Sequence, residues 1–284
     1  MRQECYSCHM KTVHHLLDKF KPEDDDARIF TARVHSILKA NDLPDNPCLA
    51  TRIQRAAKEH FKINDLYAHE KFRINEELLR DYKYWKSIVE NSDDPFLTAA
   101  RLSVVGNIID FGAHTVKADI RAQVHTLLTK DLVVNKVRQL KEHIRHVQSV
   151  VFLGDNCGEI VFDKLFIETF YHPNVTYVVR GEPVLNDVTT EDAFQVRMQD
   201  VCRVITNGYD APSTLVQYCS TEFLEIFNSA DLIISKGQGN FEGLMDSNNP
   251  NIYFMLIAKC DPVARLLKVK KNDMVITTLT PALV

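Results

Sequence analysis

The chain has 284 residues, of which 45% are hydrophobic and 25% charged, and this balance is ordinary for a globular protein. Its formal net charge of −4 argues against a nucleic-acid or anionic-membrane partner, because such partners are usually bound by a basic face. No apolar stretch approaches the ~20 residues that span a bilayer, and the polar start at Met1–Cys5 is unlike a signal peptide, so we predict a cytoplasmic protein.

The first half of the chain is predicted to be helical, with no strand before about residue 147. Apolar residues recur every three to four positions, and Pro, Asn and Asp mark the breaks. The predicted helices are Cys5–Phe20, Asp24–Ala40, Pro47–Phe61, Ile63–Asn91 and a helix that starts at Asp94-Pro95 and ends near Gly112.

After Arg145, short β-branched runs alternate with helical segments, which is the pattern of βαβ units. The predicted strands are Val150–Leu153, Val175–Val179, Arg203–Ile205, Asp231–Ser235, Ile252–Ala258 and Met274–Thr278. The helices predicted between them are Cys157–Phe170, Thr190–Gln199, Thr221–Asn228, Phe241–Met245 and Pro262–Leu267.

We therefore predict an α/β fold with a Rossmann-like, mostly parallel sheet flanked by helices, and an all-helical N-terminal region packed on it. Residues 1–147 would form the helical region and residues 148–284 the α/β core. Because no glycine-serine linker separates them, we expect the two parts to share one compact unit.

Three apolar runs in the second half end abruptly in polar residues. Val150–Leu153 leads into Gly154-Asp155-Asn156, Val178–Leu185 into Asn186-Asp187, and Leu232–Ile234 into Ser235-Lys236-Gly237. Ligands of an open parallel sheet bind beyond the carboxyl ends of its strands. We therefore expect the two aspartates, the asparagine and the lysine to converge on one crevice.

These residue types suit a divalent cation and a phosphate. Carboxylate and amide oxygens are hard ligands for Mg²⁺, Mn²⁺ or a similar ion. The helix predicted to open at Cys157–Ile160 would direct free amide groups to the same place, and Lys236 would add a compact positive charge. Taken alone, an Asp-Asn pair or a single Asp at a strand end is usually a turn or a helix cap, whereas three such strand ends with complementary chemistry favour a shared site.

Longer strings around these strand ends resemble a known family, the damage-control phosphatases, formerly the eighty-ninth domain of unknown function. The strings are Gly154–Asp163, Asn186–Thr189 with Glu191–Ala193, and Ser235–Leu244. Gly106–Gly112 and Cys5–Cys8 resemble the compact archaeal and bacterial branch of that family. The resemblance extends over nearly the whole chain.

The resemblance implies a metal-dependent phosphatase of small phosphorylated metabolites, such as sugar phosphates or damaged phospho-metabolites, with Mn²⁺, Mg²⁺, Co²⁺ or Ni²⁺ as cofactor. It assigns the metal ligands to Asp155, Asn156 and Asp187 and the phosphate-binding lysine to Lys236. Of these, Asp155, Asp187 and Lys236 are expected to be catalytic. The other residues expected at the substrate are Glu159, Gly237, Asn240, Asn107 and Asp110.

We expect a water activated by the metal to be the nucleophile, with direct attack by Asp155 as the alternative. A second alternative is an S-adenosylmethionine-dependent carboxyl methyltransferase, although an acid occupies the turn where a nucleotide-binding glycine loop would lie. A third is a non-catalytic metal or redox protein, because Cys5 and Cys8 lie on one helix face. The oligomeric state is left open, a homo-oligomer included.

Overall fold

The computed structural model describes residues 3–40, 45–106 and 120–279. Its strands are β1 (Leu132–Asn135), β2 (Val150–Leu153), β3 (Val175–Val179), β4 (Arg203–Thr206), β5 (Leu232–Lys236), β6 (Ile252–Ile257) and β7 (Met274–Thr278). Within the described ranges they form one sheet in the order β1-β7-β6-β5-β2-β3-β4. Neighbouring strands are parallel except β6 and β7, which are antiparallel. The predicted α/β fold with a mostly parallel sheet is confirmed.

Helices precede the sheet and alternate with its strands. They are α1 (Gln3–Phe20), α2 (Asp24–Lys39), α3 (Asn46–Phe61), α4 (Ala68–Arg80), α5 (Tyr82–Glu90), α6 (Pro95–Val105), α7 (Ile120–Leu128), α8 (Val137–His146), α9 (Glu159–Phe170), α10 (Thr190–Gln195), α11 (Thr221–Ser229), α12 (Gly237–Leu244) and α13 (Asp261–Leu267). None of these helices combines the length and the apolarity that crossing a membrane requires.

The sheet separates two hydrophobic cores. Successive residues of a strand point to opposite faces, so Val150 and Phe152 of β2 join a core with α5, α6 and α9. Val151 and Leu153 join the other core, with α11, α12 and α13. A third core lies among α1, α2 and α3. Because β2 is buried on both faces, its ends are the natural place for a polar site enclosed by protein.

The expectation of no strand before residue 147 is wrong, because β1 pairs with β7 at the edge of the sheet. Its pattern is weak because it is only four residues long and Val133 is 55% exposed. The division into residues 1–147 and 148–284 stays a prediction, although β1 lies in the first of those ranges and belongs to the sheet.

Several predicted helix boundaries also differ. The predicted helix Ile63–Asn91 is two helices, α4 and α5, that meet at Asp81. The predicted start at Asp94-Pro95 is confirmed, since the Asp94 side chain accepts a hydrogen bond from the amide of Leu97. That helix ends at Val105, and its predicted end near Gly112 lies outside the described residues.

Candidate active site

Two loops at the carboxyl ends of β2 and β3 lie side by side. Asn156 and Asp187 form an isolated antiparallel bridge. The amide of Val188 donates to the carbonyl of Asp155 over 2.9 Å, and the amide of Cys157 donates to Asn186 over 2.9 Å. These backbone bonds fix three predicted metal ligands, Asp155, Asn156 and Asp187, at one place beyond the sheet.

The side chain of Arg180 joins the two aspartates. Its Nε donates to Oδ2 of Asp187 over 2.7 Å, and its Nη2 lies 3.6 Å from Oδ1 of Asp155. Its Nη1 donates to Oδ1 of Asn240 over 2.9 Å. All four side chains are buried. The two carboxylates therefore share one guanidinium, which holds them close together.

Sequence reasoning missed Arg180, although a signal was present. The residue follows directly on the buried strand β3 and precedes Gly181, so the rule that selected Asp155 applies to it equally. The prediction that Asp187 directly follows an apolar strand is wrong, because β3 ends at Val179 and Asp187 lies in the connection to α10.

Gly237 lies against the carboxylate of Asp155. A Cβ built on Gly237 would lie 1.9 Å from Oδ2 of Asp155, and its φ of +77° is one that L side chains rarely adopt. Asn240, one turn further along α12, donates from its amide to the carbonyls of Gly154 over 3.1 Å and Lys236 over 2.9 Å. Gly237 and Asn240, both predicted to bind substrate, therefore fix the loop that carries Asp155.

Lys236 is fully buried beneath this loop, on the face of the sheet covered by α6 and α9. Its Nζ donates to the carbonyl of Ser103 over 2.9 Å, to Oδ1 of Asp163 over 2.6 Å and to Glu159. An ammonium group has three donors, so all of them are used within the protein. Lys236 contacts neither Asp155 nor Asp187 directly, and its role as a phosphate ligand stays a prediction.

Glu159 and Asp163 connect Lys236 to the rest of the site. Oε2 of Glu159 accepts from the amide of Asn156 over 3.3 Å. Asp163 accepts from the hydroxyls of Ser103 over 2.6 Å and Tyr177 over 3.0 Å. Asp163 was also missed, although it follows Glu159 by one helical turn in the otherwise apolar start of α9, so that both acids lie on one face.

Three of the four amides at Cys157–Ile160 are not free, contrary to the prediction. Besides the bond from Cys157, the amide of Gly158 donates to Oδ1 of Asn75 over 2.6 Å, and that of Ile160 donates to the carbonyl of Asn156 over 3.2 Å. The neighbouring loop and α4 satisfy these groups, so they do not form an open anion seat.

Burial of several acids in one place raises their pKa values. Burial, followed by the charges of Asp187 and Glu159, raises the pKa of Asp155 to about 7. Burial raises the pKa of Asp187 against the opposing effect of Arg180, and burial raises the pKa of Asp163 to about 6. Burial alone would lower the pKa of Lys236, but Asp163 and Glu159 raise it above its ordinary value. Arg180 and Lys236 therefore do not fully offset the effect of burial on the pKa values of these acids.

This donor set fits a divalent cation. Two carboxylates and an amide oxygen are hard ligands. Burial raises the pKa of both aspartates, and the positive charge of a bound cation would oppose that effect. Among the described residues, no group of three or more His, Cys, Asp and Glu side chains is arranged to hold a metal on its own. The predicted set contains only two such residues and the amide of Asn156.

Two predicted substrate residues, Asn107 and Asp110, lie outside the described residues. Gly106, immediately before them, lies against the first turn of α9, since a Cβ there would be 2.9 Å from Cα of Glu159. The chain therefore leaves the described part of the structure next to the candidate site.

The cysteine pair of α1 has a different environment. No disulfide joins any of the seven cysteines, all of which lie within the described residues. Burial, followed by the effect of Cys260, raises the pKa of Cys8. The metal or redox role of Cys5 and Cys8 stays a prediction.

Comparisons with known proteins identify the family of the chain. A model described as the damage-control phosphatase ARMT1-like domain matches residues 1–275. Over 282 residues the chain is 36% identical to a damage-control phosphatase of Archaeoglobus fulgidus, covering 95% of this chain and 96% of the relative. It is 36% identical over 183 residues to the damage-control phosphatase PH1575 of Pyrococcus horikoshii, covering 63% of this chain and 64% of that relative.

A solved structure agrees with these matches. The crystal structure of a DUF89 family protein (PH1575) from Pyrococcus horikoshii superposes with a TM-score of 0.89 at 28% sequence identity, covering 99% of both chains. The molecule is thus an α/β protein of the same fold. The chain belongs to the damage-control phosphatase ARMT1-like family, which confirms the resemblance noted in the sequence, and these comparisons do not favour the methyltransferase alternative.

Proposed function

We propose that this protein is a metal-dependent phosphatase that hydrolyses phosphomonoesters of small metabolites, such as damaged metabolites or sugar phosphates. Its membership of the damage-control phosphatase family supports phosphatase activity. The observation that carries the metal dependence is the pair of buried aspartates, Asp155 and Asp187, held by one guanidinium beyond the carboxyl ends of the parallel strands β2 and β3.

The oxygens of Asp155, Asn156 and Asp187 would hold the cation. When bound, a divalent ion at this place supplies Lewis-acid chemistry, which withdraws charge from a phosphoryl group and acidifies water. The amide of Asn156 now donates to Oδ2 of Asp155 over 2.6 Å and to Glu159. Rotation of that amide would turn its oxygen towards the cation, since the two ends of an amide group are similar in size.

Arg180 is the residue best placed to meet a phosphoryl oxygen. Its Nη2 is buried and makes no hydrogen bond with the described residues, although it faces Asp155. An unsatisfied buried N–H is costly, and an incoming anionic oxygen would satisfy it. Arg180 would then orient the phosphoryl group while its Nε keeps Asp187 in place.

Lys236 would act mainly by positioning other residues. Lys236 forms ion pairs with Glu159 and Asp163. Glu159 in turn accepts a hydrogen bond from the side-chain amide of Asn156, so Lys236 is linked to Asn156 through Glu159. To contact a phosphate directly, as the family resemblance implies, its ammonium group would have to exchange one protein acceptor for a phosphate oxygen. Both contributions would place positive charge where negative charge accumulates during phosphoryl transfer.

Water is the proposed nucleophile and Asp155 would remain a ligand. Asp155 lies against Gly237 and accepts from Asn156, so its carboxylate is confined on two sides. Direct attack by Asp155 would leave a phosphoryl group on this carboxylate. Rapid quenching after mixing with ³²P-labelled substrate distinguishes the two routes, since only direct attack labels the protein at Asp155.

The test is a panel of sugar phosphates and nucleotides, incubated with Mg²⁺, Mn²⁺, Co²⁺ or Ni²⁺ and with chelator. We expect phosphate release that depends on an added cation and disappears with chelator. Phosphate release that is unchanged by chelation after extensive dialysis would contradict the metal dependence. A properly folded protein that hydrolyses no phosphomonoester with any of the four ions would contradict the proposed activity itself.

A further inference from the structure

Helix α4 contacts the loop that carries Asp155 and Asn156. The buried side chain of Asn75 accepts a hydrogen bond at Oδ1 from the amide of Gly158 over 2.6 Å. Ile74 packs against the same turn, since a Cβ built on Gly158 would lie 2.9 Å from Cγ1 of Ile74. Helix α4 therefore holds this loop both by a hydrogen bond and by close packing.

The side chain of Asn75 also contacts the helix that follows the second ligand loop. Its Nδ2 donates to Oε1 of Gln195, at the end of α10, over 2.9 Å. Gln195 donates back to α4, from its Nε2 to the carbonyl of Phe72 over 3.0 Å. Since α10 begins three residues after Asp187, Asn75 connects the two segments that carry the predicted metal ligands.

Lys71, one turn before Asn75 on α4, adds a second contact with α10. Its Nζ lies 2.8 Å from Oδ2 of Asp192. The same oxygen accepts hydrogen bonds from the amide and the hydroxyl of Thr189, over 2.9 Å and 2.7 Å. These bonds cap α10 directly after the loop of Asp187, so α4 is joined to α10 at both of its ends.

Asn75 itself lies outside the predicted ligand set. Its hydrogen bonds go to Gly158 and Gln195 rather than to Asp155 or Asp187. The orientation of its side-chain amide is determined by the backbone amide of Gly158, which can only donate and must therefore face an oxygen. Asn75 can thus influence a bound cation only through the backbone of the two loops.

We propose that Asn75 is a positioning residue that sets the spacing of the two ligand loops and thereby the affinity of the site for its divalent cation. The inference rests on the proposed metal-dependent phosphatase function and adds a residue that supports it from outside the site. Groups behind metal ligands typically contribute about 10- to 100-fold to metal affinity, because they hold the ligands in the geometry of the complex. Without Asn75, binding of the cation would also have to order the turn at Gly158.

The first test is calorimetric titration of Asn75→Ala and of the unaltered protein with Mn²⁺. We expect Kd for Mn²⁺ to rise about 10- to 100-fold in the variant. At saturating Mn²⁺, kcat should stay within about twofold, because excess cation restores occupancy of the site by mass action. The matched control is Thr169→Ala, which removes a side-chain hydrogen bond within α9, at the opposite end of that helix from Glu159, and should leave Kd unchanged.

Hydrogen exchange of the metal-free protein gives a readout that does not depend on a cation. In Asn75→Ala, peptides that contain Gly158 and the start of α10 should exchange faster, because the amide of Gly158 loses its acceptor. Peptides of β6 should exchange as in the unaltered protein. An equal acceleration in β6 would show a general loss of stability and overturn the positioning role.

Gln195→Ala tests the same bridge from its other end. Gln195 is only partly buried, so its truncation disturbs folding less than that of Asn75. We expect a smaller rise in Kd for Mn²⁺, and the double variant Asn75→Ala with Gln195→Ala should bind no more weakly than Asn75→Ala alone, because both substitutions break one bridge. Effects that multiply in the double variant would show that the two side chains act independently and overturn the bridge.

The outcomes separate this inference from the proposed function. If the unaltered protein binds Mn²⁺ and Asn75→Ala binds it equally well, the inference is overturned while the phosphatase function stands. If the unaltered protein binds none of Mg²⁺, Mn²⁺, Co²⁺ and Ni²⁺, both are overturned.

Discussion

Two buried charge clusters lie next to each other in this molecule, and they differ in how completely they are satisfied. The lower cluster, Lys236 with Glu159 and Asp163, uses all three lysine donors and adds two hydroxyl donors to Asp163. The upper cluster is Arg180 with Asp155 and Asp187. In it, Asp187 accepts one side-chain hydrogen bond from the described residues, and Nη2 of Arg180 donates none to them.

Each cluster has two carboxylates and one cation, so the difference lies in geometry rather than in charge count. A buried network with every group satisfied is rigid, whereas one with unused groups has room for a ligand. We therefore infer that the lower cluster positions the site and that the upper cluster binds the cation and the phosphoryl group. The following predictions test this difference, beginning with the largest expected effect.

Asp187→Asn should remove most of the metal-dependent phosphatase activity, because it replaces a charged ligand with a neutral group of the same shape. Loss of groups behind a metal ligand typically costs 10- to 100-fold, so loss of a ligand itself should reduce kcat/KM by more than about 100-fold. The thermal midpoint measured with chelator should change little. Normal turnover in this variant would show that Asp187 is not a ligand.

Lys236→Met should mainly reduce stability. It would leave Glu159 and Asp163 buried without their cation, and breaking a buried ion pair costs about 3–5 kcal/mol in the free energy of unfolding. Urea denaturation measures this change. The double variant Lys236→Met with Asp163→Asn should recover part of the loss, because it removes one of the stranded charges. A single variant as stable as the unaltered protein would contradict a structural role for the lower cluster.

Gly237→Ala should weaken cation binding and lower stability, each by less than the two preceding substitutions. The positive φ of Gly237 costs a side chain about 1–3 kcal/mol, and the new methyl group would displace the Asp155 carboxylate. We expect weaker cation binding by calorimetry together with a lower midpoint in urea. Cation affinity equal to that of the unaltered protein would show that the approach of Gly237 to Asp155 is unimportant for the site.

The pH dependence of stability should reflect Asp155. Its pKa is raised to about 7 in the folded protein, above the 3.8 that is ordinary for Asp, so the folded state holds more protons than the unfolded state between these pH values. The contribution of this group to stability must then fall as pH rises from about 4 to about 7. With chelator present, Asp155→Asn should flatten that part of the urea-denaturation profile. A slope that the substitution leaves unchanged would contradict the raised pKa.

Much of the fold could be predicted because β2, β3 and β5 are short apolar runs followed at once by polar residues. The edge strand β1 could not, since it is short and half exposed and leaves almost no periodic signal. At the other strands and at α11 and α13, predicted and observed bounds are identical or differ by one residue.

The sequence predicts which residues gather at the site, but it does not predict the hydrogen bonds and ion pairs between them. The end of β2 identifies Asp155, because ligands bind beyond the carboxyl ends of parallel strands. Asp187 lies in the connection from β3 to α10, and the residue at the end of β3 is Arg180. The direction of the Lys236 side chain, towards α6 and α9, depends on which face of β5 it occupies, and the strand-end argument does not consider faces. The amides of Cys157 and Gly158, just before α9, donate to Asn186 and Asn75. Both acceptors are distant in sequence, so local patterns could not predict these hydrogen bonds.

The most direct test of the central claim is calorimetric titration of the metal-free protein with Mn²⁺ at pH 7.5. We predict one cation bound per chain, with proton release that is detected by comparing buffers of different ionisation enthalpy. Binding should be lost in Asp155→Asn and retained in Cys8→Ser. Binding that survives Asp155→Asn and disappears in Cys8→Ser would contradict the account and move the metal to the N-terminal cysteines.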